Sequence, residues 1–405
     1  MKTSMFAGAA VLGIAFAAAP IASAAAQAPL VAPSSPKSGA DALDEAKQYW
    51  TPERLRNATP MAPTTTLPSG GLSAPQSTVS PEGATPAEPG SIVPGAPPTR
   101  EFDPSQSEQI LPPDTSGGAP RADLSTSRPA VAPELQPQES GTGGAFFTTS
   151  RVFPDDAATA YPYATAGRLT FHDPVQNADF ICSAAVLRRR IVVTAGHCVI
   201  HPDPDPKKAY FFEKFLFVPA FTNGNAPFGT WVPQTVGTSS DWANSDGSVP
   251  NTQDVGMLVM FDDPSATRIG DRTGTLGYQT GALFPNHLTM LGYPGNLDNA
   301  SLMIRNDAQS FAQERNNNVV YGSAMTNGSS GGPWIRDFGI EPQGLIENPN
   351  ARFYNVLVGV TSAGPDTAGV YLQSASNLQA RTENPGGFEA LLDNLCGLDA
   401  RNCGD

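Results

Sequence analysis

The sequence predicts an all-β protein carried by the last two thirds of the chain, behind a long Pro-rich arm. Three observations predict it. From about Phe146 the apolar runs are short, rich in Val, Ile, Phe and Tyr, and broken by Gly, Pro, Asn and Asp. That is the texture of strands joined by turns in a sandwich or barrel. One helical stripe stands out, and it lies near the C-terminus. Proline is crowded forward, with 22 of the 40 in residues 1–150.

The first element is an address. Met1-Lys2, an Ala-rich apolar run from about Phe6 to Ala19 and the small-x-small pattern Ala22-Ser23-Ala24 predict a secretory signal peptide over 1–24. No later segment has the ~18 continuous apolar residues of a membrane helix. An exported, secreted protein (extracellular or periplasmic) is expected. Residues 25–150 follow as a propeptide or linker. Over 28–144 the chain is dominated by Pro, Ser, Thr, Ala, Gly and Gln, too poor in apolar surface to offset its ordering entropy, so disorder is expected. Leu43, Ala46 and Trp50 have helical spacing and suggest a short helix over Asp41–Trp50.

Strands are expected at Ile191–Thr194, Ala209–Val218, Val255–Met260, Leu288–Leu291, Val356–Thr361 and Val370–Leu372. Phe388, Leu391, Leu392 and Leu395 fall at i, i+3, i+4 and i+7 after Pro385-Gly386-Gly387, predicting a terminal helix over about 386–395 that lays its stripe on the β core. Residues 396–405 form a tail. Arg188-Arg189-Arg190 reads as an exposed hairpin turn, Asn316–Asn318 as a polar turn, and His172, His201 and His287 as surface or turn residues. His201-Pro202-Asp203-Pro204-Asp205 is held extended by its prolines, which disfavours a chelating arrangement.

Charge excludes some partners. The chain carries 38 Asp+Glu against 24 Lys+Arg, a formal net charge of −14. Such a surface cannot neutralise phosphates, so no nucleic-acid partner is expected, nor docking on an anionic membrane. All four Cys lie after residue 170. An even count in an exported chain points to disulfides. The simplest pairing is local, Cys182 with Cys198 and Cys396 with Cys403, but spacing alone leaves three connectivities open. No Cys-x-x-Cys occurs, so no metal site is expected.

Three segments carry chemistry. Ile191–Cys198 runs a buried strand into an Ala-Gly turn that presents His197. Asp254 stands at the mouth of the apolar strand Val255–Val259, unlike Asp241 and Asp246, which lie in a polar loop. Gly328-Ser329-Ser330-Gly331-Gly332-Pro333 is a Gly-rich loop bearing Ser330. A serine hydroxyl is a weak nucleophile unless a base is within reach and a third group fixes the tautomer of that base. Ser330, His197 and Asp254 suit those three roles. Main-chain N–H groups at Gly328 and Ser330 suit a developing oxyanion.

Taken together these segments resemble the trypsin-like (chymotrypsin-fold) serine endopeptidases. Thr194-Ala195-Gly196-His197-Cys198 matches that family's histidine motif, and Gly328–Pro333 its serine motif at five of six positions. The order His, Asp, Ser is the family's order. Arg151-Val152 through Tyr161-Pro162-Tyr163, with Gly292-Tyr293-Pro294-Gly295, is similar to the bacterial glutamyl-endopeptidase branch.

The resemblance spans roughly 150–395. It implies two six-stranded antiparallel β-barrels, the first over about 152–268 and the second over about 272–382. It also implies a Cys182–Cys198 bridge beside the histidine, a protein or peptide substrate, a monomer and no cofactor. Ser362-Ala363-Gly364 would pair with the substrate backbone, and Ala324 and Met325, with Thr361, would line the specificity pocket. Family members selective for Lys or Arg carry Asp at the position of Ala324, and glutamyl endopeptidases carry His at the position of Thr361. A small or apolar preference is therefore expected. Ser329 replaces the Asp that in animal zymogens captures a new N-terminus, so that switch is not expected. Two other functions compete: an inactive protease-like binding module, and a surface protein acting through its Pro-rich arm.

Overall fold

The structure is a computed structural model. It describes residues 27–65, 90–113, 145–314, 317–340, 353–364 and 370–404; the expected signal peptide lies outside the described residues. Six strands build the first barrel: β1 (Ala166–Asp173), β2 (Ala178–Val186), β3 (Ile191–Thr194), β4 (Glu213–Pro219), β5 (Pro233–Thr238) and β6 (Gly256–Met260). Their order is β4-β1-β2-β3-β6-β5, all antiparallel. Reciprocal 2.9 Å hydrogen bonds between Phe217 and Trp231 close the ring.

The second barrel uses β7 (His287–Gly292), β8 (Ile304–Gln313), β9 (Asn318–Gly322), β10 (Pro333–Arg336), β11 (Val356–Ala363) and β12 (Leu372–Ser376). They run in the order β10-β7-β8-β9-β12-β11, and β10–β11 pairing completes the circuit. This is the two-barrel architecture that the resemblance implies.

Alternation explains why these runs become barrel strands. Leu169, Phe171, Cys182, Ala184, Val186, Val192, Leu258 and Met260 pack together inside the first barrel. Their neighbours Ile181, Ala185, Ile191, Val193, Met257 and Val259 face outward into a second cluster. Successive strand residues point to opposite faces, and here both faces are covered, so the sequence reads as continuous apolar runs. Leu288, Met290, Val319, Tyr321, Trp334 and Val358 fill the second barrel.

Several boundaries move. The run expected at Ala209–Val218 splits into Tyr210–Phe211 and β4. The last strand starts at Leu372 rather than Val370. The terminal helix, α3 (Phe388–Leu398), packs on β5 and β6 of the first barrel. Both local disulfides form, Cys182–Cys198 and Cys396–Cys403.

Much of the arm departs from the disorder that its composition predicts. Residues 27–65 and 90–113 fold onto the barrels. Helices α1 (Gly39–Tyr49) and α2 (Pro52–Asn57) are capped by Ser38 and Thr51 side chains, and α2 has Pro at its first position. Trp50 and Leu55 are each 3% exposed. Leu55 alone stabilises the docking by about 2 kcal/mol. Lys214 pairs with Glu45, and the indole of Trp50 donates to Lys214 O. Short arm strands extend both sheets: Leu30–Val31 pairs with β5, Thr59–Pro60 with β2, and Ile92–Val93 with Gly277–Gln279 beside β11. A few apolar anchors suffice here because the barrels supply the surface that the arm lacks.

Arg188–Arg190 does sit in the turn between β2 and β3, but it is not exposed. Arg190 is buried and paired with Asp262 and Asp399, Arg189 pairs with Asp271, and Arg188 lies 4.9 Å over the Tyr278 ring. Arg190 N–H also donates to Asn402 O at 3.0 Å, so this arginine ties the turn to the tail. His172 is also not a free surface group: Nδ1 lies 2.8 Å from Asp179 Oδ1, in a cluster with Tyr49 and Arg54. His201 stacks on Tyr210, and His287 is exposed. Asn317 turns at φ +60°, Asn318 already belongs to β9, and Asn316 lies outside the described residues.

Candidate active site

His197 sits in the tight turn Gly196–Cys198 that ends β3, and Asp254 stands just before β6. The two strands are paired neighbours, Thr194 facing Gly256, so the register alone brings the side chains together. The carboxylate is fully buried and saturated. Oδ1 accepts the His197 main-chain N–H at 2.9 Å. Oδ2 lies 2.8 Å from His197 Nδ1 and accepts the Ser362 hydroxyl at 2.7 Å. With Nδ1–H donating to the carboxylate, Nε2 is left as the acceptor nitrogen. Nε2 is buried and has no hydrogen-bond partner among the described residues. The Trp242 ring meets the imidazole edge-on at 5.9 Å.

The serine loop is stitched to both barrels. Ser330 O accepts the Ser183 N–H at 2.7 Å, and Cys198 Sγ lies 3.8 Å from the same oxygen. Ser330 is therefore seated on the bridge next to His197. Gly331 N–H donates to Thr361 O at 2.7 Å, tying the loop to β11. Gly331 needs its glycine: φ is +79°, and a Cβ would stand 2.0 Å from Thr194 Oγ1. Gly328 is likewise left-handed at φ +93°, and its N–H donates to Met61 O at 3.3 Å. Ser330 is 4% exposed, and its hydroxyl makes no hydrogen bond to His197 Nε2. Such contacts commonly tighten only once substrate is bound. Cys182, His197 and Cys198 place their donor atoms within 4.8 Å of one another. Both sulfurs are spent in the bridge, so no thiolate is available to a metal.

Of the expected pocket residues, Ala324 is half-buried and Met325 buried. Asn296 grips this wall, donating to Ala324 O at 2.9 Å and accepting the Thr326 N–H at 3.1 Å. The Thr361 hydroxyl is engaged elsewhere, accepting from Trp334 Nε1 at 2.8 Å within the second barrel. Ser362 is committed to Asp254. Ala363 is buried against the first barrel's core, and Gly364 ends the described part of the edge.

Two contributors escape sequence reasoning. Ser183 bonds Gly328 O and Tyr293 N–H through its hydroxyl, and Ser330 O through its main chain. Gln373 donates to Ser329 Oγ at 2.6 Å and accepts from Ser323 at 2.9 Å, and Ser329 in turn donates to Thr326 O. A neutral network thus holds the residue before Ser330. The one available signal was the unusual Ser329 itself.

No protein-family model matches the chain, and no curated protein matches it. Solved structures similar to it include the protease Anisep from Arthrobacter nicotinovorans, 22% identical over 56% of this chain and 96% of that one, with a TM-score of 0.45. A thermostable serine protease, AL20, from an extremophilic microorganism is 20% identical over 58% and 97%, TM-score 0.45. A Glu endopeptidase is 16% identical over 64% and 98%, TM-score 0.46.

Proposed function

We infer that this chain is an exported serine endopeptidase that works through His197, Asp254 and Ser330. The observation that carries the reading is the buried Asp254–His197 pair, whose outer nitrogen is unpartnered beside the Ser330 loop. Ser330 Oγ attacks the peptide carbonyl while its proton passes to His197 Nε2. That proton goes to the departing amine, and water then releases the acyl group by the same route in reverse. Main-chain N–H groups of Gly328 and Ser330 receive the oxyanion. The uncharged wall at Ala324 and Met325 supports a small or apolar side chain, and Ser362–Gly364 would pair with the acyl half of the substrate. The leader pattern of residues 1–24 and the two disulfides support export.

A fluorophosphonate tests the reading. Covalent labelling at Ser330 that disappears in Ser330→Ala is expected, whereas a folded protein that never labels is a binding module. Peptide-library profiling then reads the side-chain preference.

A further inference from the structure

Residues 59–65 cross the candidate cleft from one side to the other. Thr59 and Pro60 pair with Phe180 and Ile181 of β2, immediately before the Cys182–Cys198 bridge. Met61 N–H donates to Ile181 O at 2.9 Å. The Met61 carbonyl then accepts from Gly328 N–H at 3.3 Å, one of the two donors assigned to the oxyanion. The Pro60 ring lies against Gly295 and Gly328: a Cβ on Gly295 would stand 2.4 Å from Pro60 Cγ, and one on Gly328 3.2 Å from Pro60 Cβ. Beyond, Thr64–Thr65 pairs with Ser248–Val249, in the loop that leads to Asp254.

We propose that residues 59–65 are a built-in occupant of the catalytic cleft, which keeps the intact chain latent until the arm is displaced. The proposal rests on the assignment of Ser330, His197 and Gly328 made above. A substrate carbonyl must reach the Gly328 N–H, and Met61 O already holds it.

Direction explains why the arm is a blocker and not a substrate. The loop carrying Ser248–Val249 abuts β12, since Ser376 Oγ donates to Asn251 O, and β12 pairs with Thr361 and Ala363 of the proposed substrate edge. The arm therefore runs from the Ile181 side toward the edge side. A substrate whose acyl half lies on that edge runs the other way. Met61 presents its carbonyl with the following nitrogen on the acyl side, where no leaving group can depart toward His197.

Upstream anchoring completes the device. Leu55 O accepts from the guanidinium of Arg168 at 2.7 Å. Arg168 is buried, its Nε has no hydrogen-bond partner among the described residues, and its guanidinium otherwise faces the Phe221 ring at 5.0 Å. A cation so placed gains from the arm carbonyl that covers it.

The test compares fluorophosphonate labelling of the intact chain, its mass checked to confirm an attached arm, with two variants. Gly295→Ala acts from the barrel side, where Pro60 is the obstacle and Asn327 O, the next atom beyond it, lies at 3.6 Å. Pro60→Gly with Met61→Gly loosens the arm itself. Each should raise the labelling rate roughly tenfold or more, since occupancy scales with two hydrogen bonds and the ring contact. Labelling at one common rate in all three proteins overturns the latent state and leaves the catalytic assignment standing. Absence of labelling in all three, with native circular dichroism, removes that assignment and the proposal with it.

Discussion

Replacing Asp254 with Asn probes the site without changing its shape, and the hydrogen-bond pattern dictates how the amide must sit. Its NH₂ has two places to go. At the Oδ1 position it would face the His197 main-chain N–H, which has no alternative but to donate. At the Oδ2 position it would face His197 Nδ1 and the Ser362 hydroxyl, and both can turn from donor to acceptor. The second arrangement wins, and it moves the imidazole proton to Nε2. A protonated Nε2 cannot take the proton of Ser330.

The expected loss in kcat is ~10⁴-fold, equivalent to about 5 kcal/mol of barrier, with KM little changed because the amide meets the edge only through the Ser362 hydroxyl, leaving the main-chain groups that would pair with substrate in place. Stability should fall by only about 1–3 kcal/mol, the cost of weaker bonds to a buried group. The assay is peptide hydrolysis by Asp254→Asn and its parent in the same Gly295→Ala background, with urea unfolding run alongside. A variant that keeps more than a tenth of the parental kcat would show that the carboxylate does not set the tautomer.

Three further outcomes are expected. Arg190→Ala leaves Asp262 without its buried partner and should cost about 3 kcal/mol in urea unfolding, somewhat less than a fully buried pair because Asp262 is partly exposed. Gly331→Ala places a methyl group 2.0 Å from Thr194 Oγ1 at a left-handed φ; it should destabilise the chain by about 3 kcal/mol or more and abolish labelling of Ser330. The hydrogen bond from Lys214, aided by Lys37, holds the Glu45 carboxyl down at about 2, from an ordinary value of 4.5. Because the shift is downward, its contribution to docking α1 is present above pH 4.5 and fades as pH falls through about 2. Trp50 fluorescence should report a release in that window that is missing from Glu45→Gln.

The three candidate side chains stand out in the sequence because each lies in a short segment whose local geometry does the placing. His197 follows a strand end, Asp254 precedes a strand, and Ser330 rides a glycine turn. The β3–β6 register brings His197 and Asp254 together, and main-chain bonds to Ser183 and Thr361 seat the Ser330 loop nearby. Composition misled over the arm: low apolar content describes a chain folding alone, whereas Trp50, Leu55 and Pro60 fold against a surface made by other residues. Arg188–Arg190 was misjudged for the same reason, since its acidic partners lie at 262, 271 and 399. Ser183 and Gln373 gave no signal, because a lone Ser or Gln in a strand acquires its role only from what the opposite barrel presents to it.

Helix α3 carries a consequence for synthesis on the ribosome. Leu391 covers Gly237 of β5, where an added Cβ would stand 3.0 Å from Leu391 Cδ1, and Asn402 O holds Arg190 N–H. Translation at about 5–20 residues per second separates the Gly237 and Leu391 codons by roughly 8–30 seconds, and those of Arg190 and Asn402 by roughly 11–42. For that interval the early barrel waits, one apolar wall bare. A message truncated shortly before its stop codon would therefore yield a protein impaired throughout, not merely one shortened at its end.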